Sequence, residues 1–212
     1  MKAPLIAAAA LALVLGGCAG QGEIDPTGGI TAVRSSCPVV GLPAGTGDVT
    51  LFDPTTSRDA NAIDVVATMT DVRSTCADSG DQIVTTVTFA VEARRARVGA
   101  ARDVTLPYFV AIVRGGSAVV AKRVGGVALH FDAGQARAAA AGSATTSVTR
   151  SAATLPQEVR DQLTRRRKAG DQDAAIDPLT RPEIRQAVLR VSFEALVGFQ
   201  LTDDQLKYNA QR

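Results

Sequence analysis

Strict alternation of apolar and polar residues constrains this chain more than any other feature. Between residues 83 and 93, Ile83, Val87, Phe89, Val91 and Ala93 alternate with Val84, Thr86, Thr88, Ala90 and Glu92. Successive side chains of a strand point to opposite faces, so this spacing gives one face to a core and the other to water. The β-branched and Thr content suits a pleated, half-buried surface. The same period recurs at Ile63, Val65, Ala67 and Met69, and at Val104, Leu106, Tyr108, Val110 and Ile112. Asp48 to Phe52 is a shorter strand closed by Asp53-Pro54. Ala118 to Val124 and Val127 to Phe131 are two more, separated by Gly125-Gly126, which reads as a bulge or bend. Gln135 to Thr149 is an Ala-rich strand. Turn signals stand at Ala77 to Asp81, at Gly99 and at Arg114-Gly115-Gly116-Ser117. Together these segments predict a mostly β protein, an immunoglobulin-like or fibronectin-like antiparallel β-sandwich. The 46% hydrophobic content of the 212 residues supplies a core for one such domain. With no Trp, the Cys–Trp–Cys signature of antibody domains is missing.

Helical punctuation comes late. Thr154-Leu155-Pro156-Gln157 reads as a capping box with an early Pro, and Gly170 as a stop, which predicts a helical insertion over about 155–169. Leu155, Val159 and Leu163 form its thin apolar stripe. Residues 184–201 fit two periods. A helix capped by Thr180 and Glu183 would align Ile184, Val188, Val191, Ala195 and Phe199. A strand would align Leu189, Val191, Phe193, Ala195, Val197, Phe199 and Leu201. The Val and Phe content and Gly198 favour a short helical turn to about Gln186 followed by a long last strand. Thr202-Asp203-Asp204-Gln205 is a second capping box, opening a short C-terminal helix.

The N-terminus carries an address rather than a fold. After Lys2, Leu5 to Leu15 is an unbroken apolar run. A bilayer-spanning helix needs about 20 such residues. The run instead has the length of a signal-peptide core. It ends in Leu15-Gly16-Gly17-Cys18, an apolar residue, two small residues and a Cys. This resembles the lipobox of bacterial lipoproteins. The resemblance implies cleavage before Cys18, removal of residues 1–17 and acylation of Cys18. Several acyl chains anchor firmly, since each buried CH₂ contributes about 0.8 kcal/mol. Gly17-Cys18-Ala19 also reads as an ordinary secretion site with cleavage after Ala19. In the lipoprotein reading, Ala19 rather than Asp after the lipidated Cys implies the outer membrane, facing the periplasm. The run Phe193 to Thr202 followed by Gln205 to Asn209 is similar to the C-termini of uncharacterised alphaproteobacterial envelope lipoproteins.

Residues 18–36 are Gly-rich and polar and read as the lipidated Cys and a flexible tether, with the β-sandwich domain over 37–212. Of three Cys, Cys37 and Cys76 remain after Cys18 is accounted for. In an oxidising periplasm they are expected to form a disulfide closing a loop of about 40 residues, which stabilises by about 3–4 kcal/mol.

Catalytic constellations are scarce. His130 is the single His, and its neighbours Leu129 and Phe131 turn inward by alternation, so it is expected on the outer face. Asp171, Asp173 and Asp177 share a loop, but position 175 is Ala and no Gly follows at the offset a calcium loop needs. Gly45-Thr46-Gly47 precedes a strand, so it is a turn and no phosphate loop. A net charge of +2 is too balanced for a nucleic-acid binder. No metal site, cofactor or catalytic residue is assigned. The basic groups Arg94, Arg95 and Arg97, and Arg165, Arg166, Arg167 and Lys168, are candidate contacts for anionic envelope components. The expected function is a non-enzymatic binding or scaffolding module, held to the membrane by its N-terminal acyl anchor and contacting an envelope protein partner. A carrier of a small hydrophobic ligand and a periplasmic hydrolase are the alternatives.

Overall fold

Alternation resolves into two four-stranded sheets. The structure, a computed structural model, describes residues 36–165, 170, 172 and 176–211. The strands are β1 (Val39–Gly41), β2 (Asp48–Phe52), β3 (Ile63–Ser79), β4 (Gln82–Arg95), β5 (Arg102–Arg114), β6 (Ala118–Phe131), β7 (Arg137–Thr149) and β8 (Phe193–Phe199). One sheet has the order β2-β3-β4-β7 and the other β1-β8-β5-β6. Every pairing is antiparallel except β1 with β8, which is parallel. The inward series expected on β3, β4 and β5 is present. Val65, Ala67, Met69, Ile83, Val87, Phe89, Val91, Leu106, Val110 and Ile112 share one buried core with Val127, Leu129, Phe131, Ala195, Val197 and Phe199. The β-sandwich is therefore built by sequence period and closed by burial of both inner faces.

Two turn readings need correction. The β3–β4 turn is only Gly80-Asp81, because β3 stays paired through Ser79. Gly125-Gly126 does not interrupt β6, which pairs with β5 along its length and shifts register opposite Ile112 and Val113. The glycines have another use. A Cβ at Gly125 would lie 2.7 Å from the Tyr108 ring, and one at Gly126 would lie 2.9 Å from Thr105 Cγ2. Gly125 leaves room for Tyr108, which packs edge-on to Phe89 at 4.9 Å and donates its hydroxyl to the Ser143 carbonyl at 2.9 Å. That bond joins β5 of one sheet to edge strand β7 of the other.

Helices sit outside the sandwich. Among the described residues the expected insertion is helical over α1, Gln157–Thr164, with Pro156 at its N-cap and no capping side chain, while 166–169 lie outside the described residues. Thr154 does not cap it, because its hydroxyl donates to the Arg150 carbonyl. None of its residues is buried, so no packing extends it. Over 184–201 the helical portion is longer than expected. α2 spans Pro182–Val191 and buries Ile184, Ala187 and Val188. It packs on β5, where Ala111 and Val113, facing away from the main core, are also buried. The strand period starts only at Phe193. α3 (Asp203–Ala210) carries the expected capping box between Thr202 and Gln205. It lies on β2, with Tyr208 edge-on to Phe52 at 5.1 Å and Asn209 donating to the carbonyls of Gly45 and Asp48.

Candidate functional site

The sandwich has two ends of different chemistry. At one end the loops after β4 and β6 converge, bringing together Arg94, Arg95, Arg97, Arg102, His130 and Arg137. At the other lie the β3–β4 and β5–β6 turns and Cys37, where the described chain begins.

Arg95 leaves the group of candidate surface contacts. It is only 3% exposed. Its guanidinium donates to four carbonyls, those of Gln135 (2.7 Å), Ala100 (2.8 Å), Asp132 (2.9 Å) and Gly99 (3.1 Å). Its plane also stands over the Phe131 ring at 5.5 Å. A buried charge is tolerated only when its donors are satisfied, and here backbone oxygens of two loops do it. Arg95 thus ties the loop after β4 to the loop after β6. The sequence held the signal: Arg95 stands two residues beyond Ala93 on the inward face.

Its neighbours remain outside. Arg97 pairs with Asp53 at 3.6 Å, and Arg102 with Asp64 at 3.0 Å. Arg94 lies directly opposite Arg137 on β7. Both are exposed, and neither forms an ion pair among the described residues. Arg165 is exposed just beyond α1. Arg166, Arg167, Lys168, Asp171 and Asp173 lie outside the described residues, as do Cys18, the 1–17 signal segment and most of the 18–36 tether.

His130 points outward as alternation requires. Its Nδ1 lies 2.6 Å from Asp103 Oδ1, and its Nε2 lies 3.4 Å from Asp132 Oδ1. The hydrogen bond to Asp103 is the main cause that raises its pKa, with the charges of Asp103 and Asp132 acting the same way. Asp103 is one register position across from it on β5. The two carboxylates stabilise the protonated form of the imidazole. When protonated, it closes a surface charge pair with Asp103.

Cys37 and Cys76 are bonded, with Cα atoms 6.0 Å apart. The bond links the segment before β1 to β3, and so joins the two sheets. On β4, nine residues separate Thr85, the partner of Cys76, from Arg94. At the rise of a strand that places the Arg94 group about 30 Å from the disulfide. Asp53, Pro54, Ser57 and residues Asp59 to Ala62 line a surface hollow of about 550 Å³. The space between the sheets is instead occupied by Phe131, Phe199, Ile83, Leu106, Ile112 and Leu129, all under 2% exposed. Among the described residues, no His, Cys, Asp and Glu group could hold a metal ion, and no helix is long and apolar enough to cross a membrane.

Fold and site together define a mostly β protein of two sheets joined by a disulfide, with the paired exposed arginines Arg94 and Arg137 at one end. No protein family, characterised protein or solved structure matches the chain.

Proposed function

We propose that this chain is a lipid-anchored envelope protein, acylated at Cys18, that acts by surface contact rather than by catalysis. The observation that carries the reading is the Cys37–Cys76 bond. Structural disulfides belong to oxidising compartments, and this one leaves Cys18 as the remaining thiol of three. That is the atom a lipobox prepares for a diacylglyceryl group. The filled space between the sheets favours contact at the surface over carriage of a ligand inside.

The outer membrane is the address proposed, from Ala19 beside the anchor. The partner proposed is an envelope protein meeting the end where Arg94 and Arg137 stand side by side. The test is intact mass spectrometry of the protein purified in detergent from envelopes. The reading expects a chain beginning at Cys18 with added diacylglyceryl and acyl mass. It also expects crosslinking in whole cells to recover a partner that is lost from an Arg94→Glu, Arg137→Glu variant. A mature chain beginning after Ala19, or an unmodified Cys18, would end the anchored reading.

A further inference from the structure

The β5–β6 hairpin is a patch of unusual composition. From Val104 to Phe131 it contains no Asp or Glu, yet it carries Arg114, Lys122 and Arg123. The first half of β6, Ala118 to Val124, is exposed at every position on both faces. It forms the edge of its sheet, and nothing described covers it. Val119 is 62% exposed and Val124 60%, with Val120 between them also open. Val119 and Val120 stand just past the turn, and Val124 four ladder positions further along the same edge; exposed valines interspersed with cations mark a surface that meets something apolar and anionic at once. Lys122 already leans over the Phe109 ring at 5.0 Å. Arg114 and Arg123 make no ion pair among the described residues.

Position decides what that something is. Register across the sheet places Val119 level with Val113, Val113 level with Glu194, and Glu194 level with Val39. Val39 stands two residues after Cys37, so the hairpin tip shares the end of the sandwich where the chain arrives from its N-terminus. Glu194, the acidic residue of that row, is two strands from Val119, about 10 Å away. At the neighbouring β3–β4 turn, Asp78 is paired with Arg150 at 3.2 Å.

We propose that the β5–β6 hairpin tip docks on an anionic phospholipid bilayer. Val119 and Val120 enter the headgroup boundary, while Arg114, Lys122 and Arg123 meet the lipid phosphates. The proposal rests on the anchored reading for where the membrane lies. The exposure and charge of the tip stand without it. Docking fixes the tip to the bilayer and directs the Arg94–Arg137 end away from it.

The test uses the full chain with Cys18→Ser, so that no lipid is attached, and Val119→Cys carrying an environment-sensitive fluorophore. Emission should shift to the blue on phosphatidylglycerol vesicles and not on phosphatidylcholine vesicles. The shift should fade with salt. Lys122→Glu with Arg123→Glu should weaken partitioning of the tip at least about 30-fold. The same fluorophore at Ala139→Cys, on the outer face of β7, should not respond. Any attachment through the Leu5–Leu15 run is common to all variants and leaves the comparison intact. An unshifted tip label, an equal shift on both lipids, or a shift without vesicles that grows with protein concentration would overturn the proposal. The last result would mean that β6 pairs with a second copy. An unmodified Cys18 in cells with a responsive tip defeats the anchor alone, and an acylated Cys18 with a silent tip defeats the docking alone.

Discussion

At residue 95 a guanidinium occupies a place that alternation reserves for an apolar side chain. Four loop carbonyls converge on it. Replacing it with Leu removes the charge but leaves those carbonyls without their donor, which should cost about 2–4 kcal/mol in denaturant melts. The loss should also appear locally, as faster hydrogen exchange at the Gly134 amide, which donates to Gly99 in the loop Arg95 holds. An Arg95→Leu protein as stable as the parent would show that the four bonds contribute nothing. Thr85 is the converse case. It is fully buried on the inner face, and no described group pairs with its hydroxyl. Thr85→Val keeps the shape and removes the unpaired hydroxyl, so the melt should gain about 1 kcal/mol. His130 offers a pH readout. Its folded-state pKa is raised, first by the Asp103 hydrogen bond. The pair therefore adds stability fully at pH below the unfolded-state pKa, and loses it as pH rises through the raised folded value. NMR titration should find the His130 pKa raised from that of an unperturbed histidine, and Asp103→Asn should bring it down. These three residues separate what sequence can reveal from what it cannot. The facing of each follows from period two, but the convergence of two loops on Arg95 depends on contacts far apart in the chain.

At the scale of elements, legibility followed the strength of the local period. β3, β4 and β5 were readable because most of their inward residues are apolar over several successive positions, Thr85 and Arg95 being the exceptions on β4. The α3 cap was readable because both partners of the box lie within four residues. Over 184–201 two periods overlap, and what separates them is tertiary. Ala111 and Val113 present a second apolar face on β5, and Ile184, Ala187 and Val188 cover it as a helix. Parallel edge strand β1 left no trace, being three residues whose partner lies over 150 residues away. β7 was the faintest of the long strands because its inward positions are small. The structure shows why they must be. A Cβ at Gly142 would meet the Phe89 ring at 2.3 Å, and that ring is fixed against Tyr108 in the closed core. Gly142→Ala should therefore destabilise the sandwich by about 1–3 kcal/mol through overpacking. Adding Phe89→Leu should recover part of that loss, because the smaller side chain vacates the contested space. A double variant no better than the sum of the two single changes would mean that the clash lies elsewhere.

For the whole molecule, the disulfide decides which part of the sandwich is held by covalent linkage and which by packing alone. β1 is three residues long, at an edge, and paired on one side only. Such a strand contributes little burial of its own: Val39 is exposed, and Val40 and Gly41 are half-buried. Cys37, immediately before it, is fastened to β3 in the opposite sheet across 39 positions of sequence. Closing a loop of that size restricts the unfolded chain by about 4 kcal/mol, less any strain in the folded state. Cys37→Ser with Cys76→Ser should therefore lower unfolding free energy by about 3–4 kcal/mol while the far end, tied by Arg95, stays intact. Hydrogen exchange tells the two ends apart. Protection should fall at the β1–β8 ladder of Val39–Gly41 and stay high along Val87–Ala93 of β4. In the anchored reading the same bond has a mechanical meaning. Pull transmitted along the tether reaches β3 through Cys76, so the weak β1 ladder carries none of it. Dithiothreitol applied to the parent protein should reproduce the loss seen in the double variant. A reduced chain that keeps β1 protected would show that packing alone seats the strand, and the disulfide would then serve only to restrict the unfolded state.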